Sequence, residues 1–215
     1  MSLHERLEKT LPKQTFFNLP AQKRKTLMEA AGREFARVPL SEASIANIIK
    51  SAKIPRGSFY QYFENKEDLY YYLLGEQTKE RKMNFISLLK KHNGDIVEAT
   101  IEMYYDFLIQ MPDEDEQKFL KNAMLHVTHK VENAFTDIFD IGNGKEHLEE
   151  IMALVNKKRL NIRDDKDIFH IMQIVTTVAF RNFVEKFSKE LSDEEAIENF
   201  NKEMDLLKNG LYRRE

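Results

Sequence analysis

The chain has 215 residues, 42% of them hydrophobic and 32% charged, with 7 Gly, 5 Pro and no Cys. That length suits one large domain or two small ones with a substantial core, and the composition excludes a disordered, collagen-like or disulfide-stapled chain. Without Cys there is no thiol nucleophile, thiolate zinc site or redox switch. No stretch approaches the ~20 apolar residues of a membrane span, and the N-terminus lacks a signal-peptide core. The expectation is a cytoplasmic protein with no membrane partner. The net charge of -3 hides a division: residues 1–66 hold 12 Lys/Arg against 6 Asp/Glu, a balance of +6, whereas the rest hold 21 against 30, a balance of -9. A basic first third suggests contact with a polyanion, and an acidic remainder suggests a different task.

In chain order, residues 1–20 form an extension carrying Arg6, Lys9 and Lys13. It reads equally as a basic arm for a DNA groove, a frayed end, or a segment packed on the domain that follows. A first helix is expected from Ala21 to Arg37, with Leu27, Ala31 and Phe35 on one face and basic residues mostly off it. A second starts at Ser41 or Ser44, either able to cap, buries Ile45, Ile48 and Ile49, and ends near Lys53. After about three residues Pro55 suits the first position of a short third helix through Arg56-Gly57-Ser58-Phe59-Tyr60-Gln61-Tyr62-Phe63.

Four of the five Pro lie before Lys66, and beyond it the pattern is helical. One helix is expected from Lys66 to about His92, stopped by Gly94, and another is capped by Asp95 and runs toward Pro112. Asp113 to Glu116 opens a further helix, and Gly142-Asn143-Gly144 is the clearest loop. Helices follow near 145–160 and 165–188, and Ser192 with Glu195 forms a capping box for the last. No strand alternation or internal repeat is visible, so the fold class is all-α.

Short helix, tight turn, short helix is the helix-turn-helix plan, whose second helix enters the major groove. Phe59 and Phe63, four apart, can face the core and leave Arg56, Ser58, Tyr60, Gln61 and Tyr62 on the outer surface. Arg, Ser and Gln read base edges, while Tyr hydroxyls and Lys hold phosphates. Gly57 at the head of the helix permits close approach of the backbone.

The residues Arg24, Leu27, Ala30-Ala31, Phe35, Ile48-Ile49, Ala52-Lys53-Ile54, Gly57 to Phe63 and Asn65-Lys66-Glu67-Asp68-Leu69 together resemble the N-terminal signature of the TetR family of transcriptional repressors. The resemblance covers roughly the first third of the chain. It implies a homodimeric, all-helical regulator that binds a near-palindromic double-stranded DNA operator and senses a small-molecule effector with its C-terminal part. It implies a helix-turn-helix domain over residues 21–66 and a ligand-sensing and dimerisation domain over 67–215. By residue it assigns Ser44, Ser58, Tyr60, Tyr62 and Lys66 mainly to phosphates, and Arg56, Gly57 and Gln61 to bases. Three positions depart from the family pattern: Lys53 stands where Gly is usual in the turn, Pro55 replaces a Ser-type cap, and Val38-Pro39-Leu40 replaces a Gly-aromatic pair.

The acidic remainder is rich in Met and Phe. Met103, Phe107, Met111, Met124, Phe135, Phe169 and Met172 are candidates for an adaptable pocket that takes an apolar or amphipathic ligand, although each suits ordinary helix-bundle core as well. The segment from Ile168 to Phe187 is apolar on more than one face, which points to a partner copy meeting it through Ile171, Val175, Val178 and Phe183. His126 and His129 share a helical face with His170 elsewhere, a spacing too common to assign a metal. Lacking a nucleophile triad, phosphate loop or carboxylate pair, the sequence indicates no enzyme and no cofactor. The runner-up is a ligand-binding or interaction module of the same fold without specific DNA binding.

Overall fold

The computed structural model describes residues 12–109, 114–126 and 145–211, and all regular elements among them are helices, with no β-strand. The helices are α1 (Gln14–Phe17), α2 (Ala21–Arg37), α3 (Ile45–Ala52), α4 (Arg56–Tyr62), α5 (Lys66–Lys91), α6 (Ile96–Ile109), α7 (Glu114–Leu125), α8 (Lys145–Leu154), α9 (Asp165–Ser188) and α10 (Asp193–Leu211). None of the described helices is long and apolar enough to cross a membrane. Two compact units divide the described residues. One holds the chain up to Gln77 together with α7; the other holds the chain from Thr78 to Ile109 and from α8 onward. α5 begins in the first unit and ends in the second. Packing therefore groups α7 with the helix-turn-helix segment, although it lies far along the chain.

In the first unit, α7 packs along α2, and the buried Phe35, Tyr70 and Phe119 meet with ring centroids 5.0–5.9 Å apart. The Asn122 side-chain amide donates to the carbonyls of Phe35 (2.9 Å) and Ala36 (3.0 Å), supplying partners that the end of α2 lacks internally. α3 is joined to α4 by a turn in which Lys53 takes φ 54°, ψ 42°. The N–H of Lys53 bonds the Lys50 carbonyl and that of Ile54 bonds the Ile49 carbonyl, a Schellman arrangement. The left-handed turn thus survives without Gly. Pro55 lies one residue before α4, at its N-cap with φ -62°, instead of at the first helical position, and no side chain caps that end.

In the second unit, α6, α9 and α10 pack on one another around Tyr104, whose ring stacks on Phe183 (4.4 Å) and Phe200 (4.0 Å). Helix starts are fixed by side chains as the sequence indicates. Asp95 Oδ1 accepts from the N–H groups of Val97 and Glu98 (both 3.1 Å), Asp164 Oδ1 accepts from Lys166 N–H (2.8 Å), and Ser192 and Glu195 bond reciprocally (3.0 and 3.1 Å). Gly94 has φ +79°, and a Cβ there would sit 2.2 Å from the Leu154 carbonyl oxygen. Only Gly fits.

Lys53 remains in a left-handed conformation that costs a side-chain-bearing residue ~1–2 kcal/mol, against a smaller entropic cost for Gly. Lys53→Gly should therefore raise stability by about 0.5–1 kcal/mol. Urea unfolding midpoints at constant slope check this.

Candidate nucleic-acid interface

α4 has seven residues, far fewer than the ~12–15 an isolated helix needs in water, so its shape comes from its supports. Phe59 and Phe63 are buried beneath it, as their spacing requires. Its last three carbonyls lie at the end where a helix has no internal donors. Each receives a donor from the preceding extension: Lys13 Nζ bonds the Tyr60 carbonyl (2.8 Å), the Thr15 hydroxyl the Gln61 carbonyl, and Lys13 N–H the Tyr62 carbonyl (2.8 Å). Phe16, fully buried, anchors this segment against Phe63 (5.0 Å) and Tyr72 (5.3 Å). Of the three readings of the extension, the described part, residues 12–19, is the packed segment. The adjacent aromatics Phe16-Phe17, flanked by Leu11 and Leu19, are the sequence feature that could have pointed to it.

α3 is held by a carboxylate. Glu34 lies on the buried stripe of α2, and its Oε1 accepts from Arg37 Nη2 (2.8 Å), Ser44 N–H (2.9 Å) and Asn47 Nδ2 (3.1 Å), while Oε2 accepts from Arg37 Nε (3.0 Å). The Ser44 side chain makes no capping bond, so Glu34 satisfies a donor at the start of α3 instead. Burial alone would push its carboxyl up, but the bonds from Arg37, Ser44 and Asn47 outweigh that and hold it below the ordinary value of 4.5. Lys66 Nζ donates to the carbonyls of Ser41 (3.0 Å) and Ala43 (3.1 Å). α5 starts with a reciprocal cap in which Asn65 Oδ1 accepts from Asp68 N–H (2.8 Å) and Asp68 from Glu64 N–H (3.2 Å). A sequence reading misses Glu34 unless it asks why a carboxylate stands among core positions.

With these supports, α4 presents Arg56, Gly57, Tyr60 and Gln61 outward, Tyr60 being 40% exposed, while Ser58, Tyr62, Ser44 and Lys66 are half-buried. A Cβ on Gly57 would meet nothing within 4 Å. The protein's own packing therefore leaves that position open.

The other candidates are spread apart. Met124 is buried in the first unit. In the second, Phe107 packs on Phe183 (4.1 Å), half-buried Phe169 pairs with His170 (5.8 Å), Met172 is buried and Met103 half-buried. Met111 and Phe135 lie outside the described residues, as do His129 and the loop at 142–144. On α9, Ile171, Val175 and Phe183 are covered by the protomer's own packing, and Val178 is half-buried. Among the described side chains of α9 and α10, the exposed large apolar ones are Ile174 (42%) and Leu206 (69%). His126 is exposed with Nδ1 3.0 Å from the Asn122 carbonyl, and no group of three potential metal ligands gathers among the described residues.

Because the folded Glu34 carboxyl is held below its unfolded value, its stabilisation is present above the unfolded value and disappears as the pH falls through the folded one. Glu34→Ala should cost about 2–3 kcal/mol at neutral pH by leaving Ser44 N–H and Asn47 without their acceptor, and should flatten the acid limb of a pH–stability curve. Phe16→Ala should cost about 3–5 kcal/mol and speed hydrogen exchange in the last turn of α4, because the segment supplying its caps loses its anchor. Hydrogen exchange that changes elsewhere but not in α4 would contradict that role.

Comparison with known proteins places the chain. Residues 27–73 match the pattern described as "Bacterial regulatory proteins, tetR family", and residues 95–211 match "Tetracyclin repressor-like, C-terminal domain". The "Uncharacterized HTH-type transcriptional regulator YdgC" of Bacillus subtilis (strain 168) is 30% identical over 161 residues, 74% of each chain. Among solved structures, a TetR-family transcriptional regulator from Pectobacterium atrosepticum shares the fold with a TM-score of 0.58 at 14% identity, over 90% of this chain and 95% of that one. NalD, a repressor of a multidrug efflux pump in Pseudomonas aeruginosa, shares it with a TM-score of 0.52 at 15% identity, over 90% and 98%. With over half its length in the C-terminal match and the helix-turn-helix match ahead of it, the chain belongs to the TetR family and is a DNA-binding transcriptional regulator.

Proposed function

We propose that the protein is a dimeric repressor whose two α4 helices read a near-palindromic operator in successive major grooves, about 34–36 Å apart, and that a small amphipathic ligand releases it. The observation that carries this reading is the outer surface of α4, where Arg56, Gly57, Tyr60 and Gln61 stand free of the core within the part of the chain whose sequence is net basic. Arg56 and Gln61 suit base edges, and Tyr60, Tyr62, Ser44 and Ser58 suit phosphates. Lys66 combines two tasks in this reading, holding the loop before α3 and lending charge to the backbone contact. Two copies would meet through α9 and α10, with Ile174, Val178 and Leu206 at the contact and Ile171, Val175 and Phe183 supporting it from beneath. The repressor role of the similar NalD favours repression over activation. Release requires only that the ligand bind more tightly to a dimer whose helices sit at the wrong spacing, and a preference of ~2–3 kcal/mol is enough to loosen DNA substantially.

Gel-shift titrations of variants at two salt concentrations test the residue roles. Gly57→Ala should leave the fold intact, with up to ~1 kcal/mol gained from helix propensity, yet weaken DNA binding by filling the space the backbone needs for close approach. Arg56→Ala should change which operator is preferred, by ~1–3 kcal/mol at one base pair, whereas Tyr60→Ala should weaken binding to all sequences alike and leave the salt slope unchanged, because the phenol carries no charge. Unchanged binding in all three would contradict the assignment.

A further inference from the structure

α6 and α10 leave between them, beside the turn that follows α5, a cleft of about 230 Å3 lined by Ile101, Tyr104, Tyr105 and Ile197 among others. None of the described Met and Phe candidates from the sequence lines it. Its polar complement is unusual in two ways. First, two of its lining residues carry buried oxygens without any hydrogen-bond partner, the hydroxyl of Tyr104, a residue only 1% exposed, and Oδ1 of Asn201. Native proteins leave few such atoms, and each one needs an explanation, a bound molecule being one. Second, the charged groups at its rim are anchored. Glu98 pairs through one oxygen with Lys208, and Glu102 is held by Lys91 and His92. Bonds from Lys91 and His92 keep the Glu102 carboxyl below its ordinary value, so it stays ionised.

Both of the buried lining atoms left without a partner are oxygens. Asn201 Oδ1 only accepts, Glu98 bonds Lys208 through one of its two carboxylate oxygens, and the Tyr104 hydroxyl accepts as well as donates. An ammonium brings three donors and no acceptor. A carboxylate ligand would face Glu98 and Glu102, both of which line the cleft. A hydrocarbon would leave both oxygens unpaired, which is costly in a dry site. The volume falls below the ~300–1,000 Å3 of sites for drug-sized molecules, so the occupant is small, and the Tyr and Ile walls ask for an apolar skeleton.

We propose that this cleft is a binding site for a small organic cation, a primary amine on an aromatic or apolar skeleton, with Tyr104 and Asn201 as its buried hydrogen-bond partners and Glu98 as its charge partner. It gives a site and a ligand class to the effector-sensing reading above and rests on that reading only for its consequence at DNA. Binding itself is measured without DNA.

The test is calorimetric titration of the full chain with benzylamine, benzyl alcohol and benzoate, which share a ring and differ in the polar group. Benzylamine should bind, benzyl alcohol at least ~10-fold more weakly, and benzoate not at all. Tyr104→Phe and Asn201→Leu should each weaken benzylamine about 10-fold, the loss expected for one hydrogen bond to a charged group. Because Tyr104→Phe removes an oxygen with no partner, its melting temperature without ligand should not fall. No binding by any probe, equal binding by all three, or unchanged benzylamine affinity in both variants would overturn the proposal. So would a melting temperature several degrees lower in Tyr104→Phe, since the hydroxyl would then have a partner already. If benzylamine binds as described but leaves the DNA complex intact, the site stands and release by this ligand class fails. If some other compound releases DNA while benzylamine does not bind, the sensing reading stands and this site fails.

Discussion

The end of a short helix is the constraint on which the DNA-binding unit depends. The carbonyls of Tyr60, Gln61 and Tyr62 have no donors within α4, and seven residues cannot sustain a helix alone. Donors from Lys13 and Thr15 close that end, and Phe16 secures the segment that carries them. At the other end the chain enters through the Schellman turn at Lys53, which aims α4 away from α3. Between these fixed ends Phe59 and Phe63 face inward, so the helical period turns Arg56, Tyr60 and Gln61 outward. Sequence reading by DNA requires side chains held in a constant register, and here the register is set by groups that need never touch DNA.

The same logic extends one helix back. Glu34 gathers Arg37, Ser44 and Asn47 around one carboxylate, so α2 and the start of α3 are joined by hydrogen bonds as well as by packing. Lys66 adds bonds to two carbonyls in the preceding loop. In the second unit polarity is used differently. There the helix starts are capped in the usual way, but Tyr104 is enclosed by Phe183 and Phe200 with its hydroxyl unmatched. A protein that tolerates an unpaired buried oxygen sacrifices stability at that point, and sites that must accept another molecule are where such sacrifices are expected.

Much of this was legible in the sequence because it is local. The ends of α2, α9 and α10 followed from apolar periodicity and from caps such as Ser192 with Glu195, and the burial of Phe59 and Phe63 followed from their spacing. What escaped was long-range. Nothing near Lys13 indicates that its ammonium reaches the Tyr60 carbonyl, 47 residues on, and nothing near Met124 or Asn122 indicates that α7 packs on α2. Apolar surplus also misleads: Ile168 to Phe187 is rich enough to suggest an outer face, yet Ile171, Val175 and Phe183 are consumed by the protomer's own core, and the side chain left outside is Ile174. Counting Met and Phe likewise marks core and pocket alike. The cleft beside Tyr104 was invisible because its character comes from the polar atoms that lack partners.

The central claim is that α4, held at both ends, reads a specific two-fold DNA site as a dimer. Selection of random DNA duplexes by the purified protein at two salt concentrations tests it most directly. The account predicts recovery of a near-palindrome whose half-sites are centred about 10–10.5 base pairs or a multiple of that apart, with affinity falling steeply as salt rises. Recovery of no common sequence at low salt, or of a single half-site without symmetry, would contradict it.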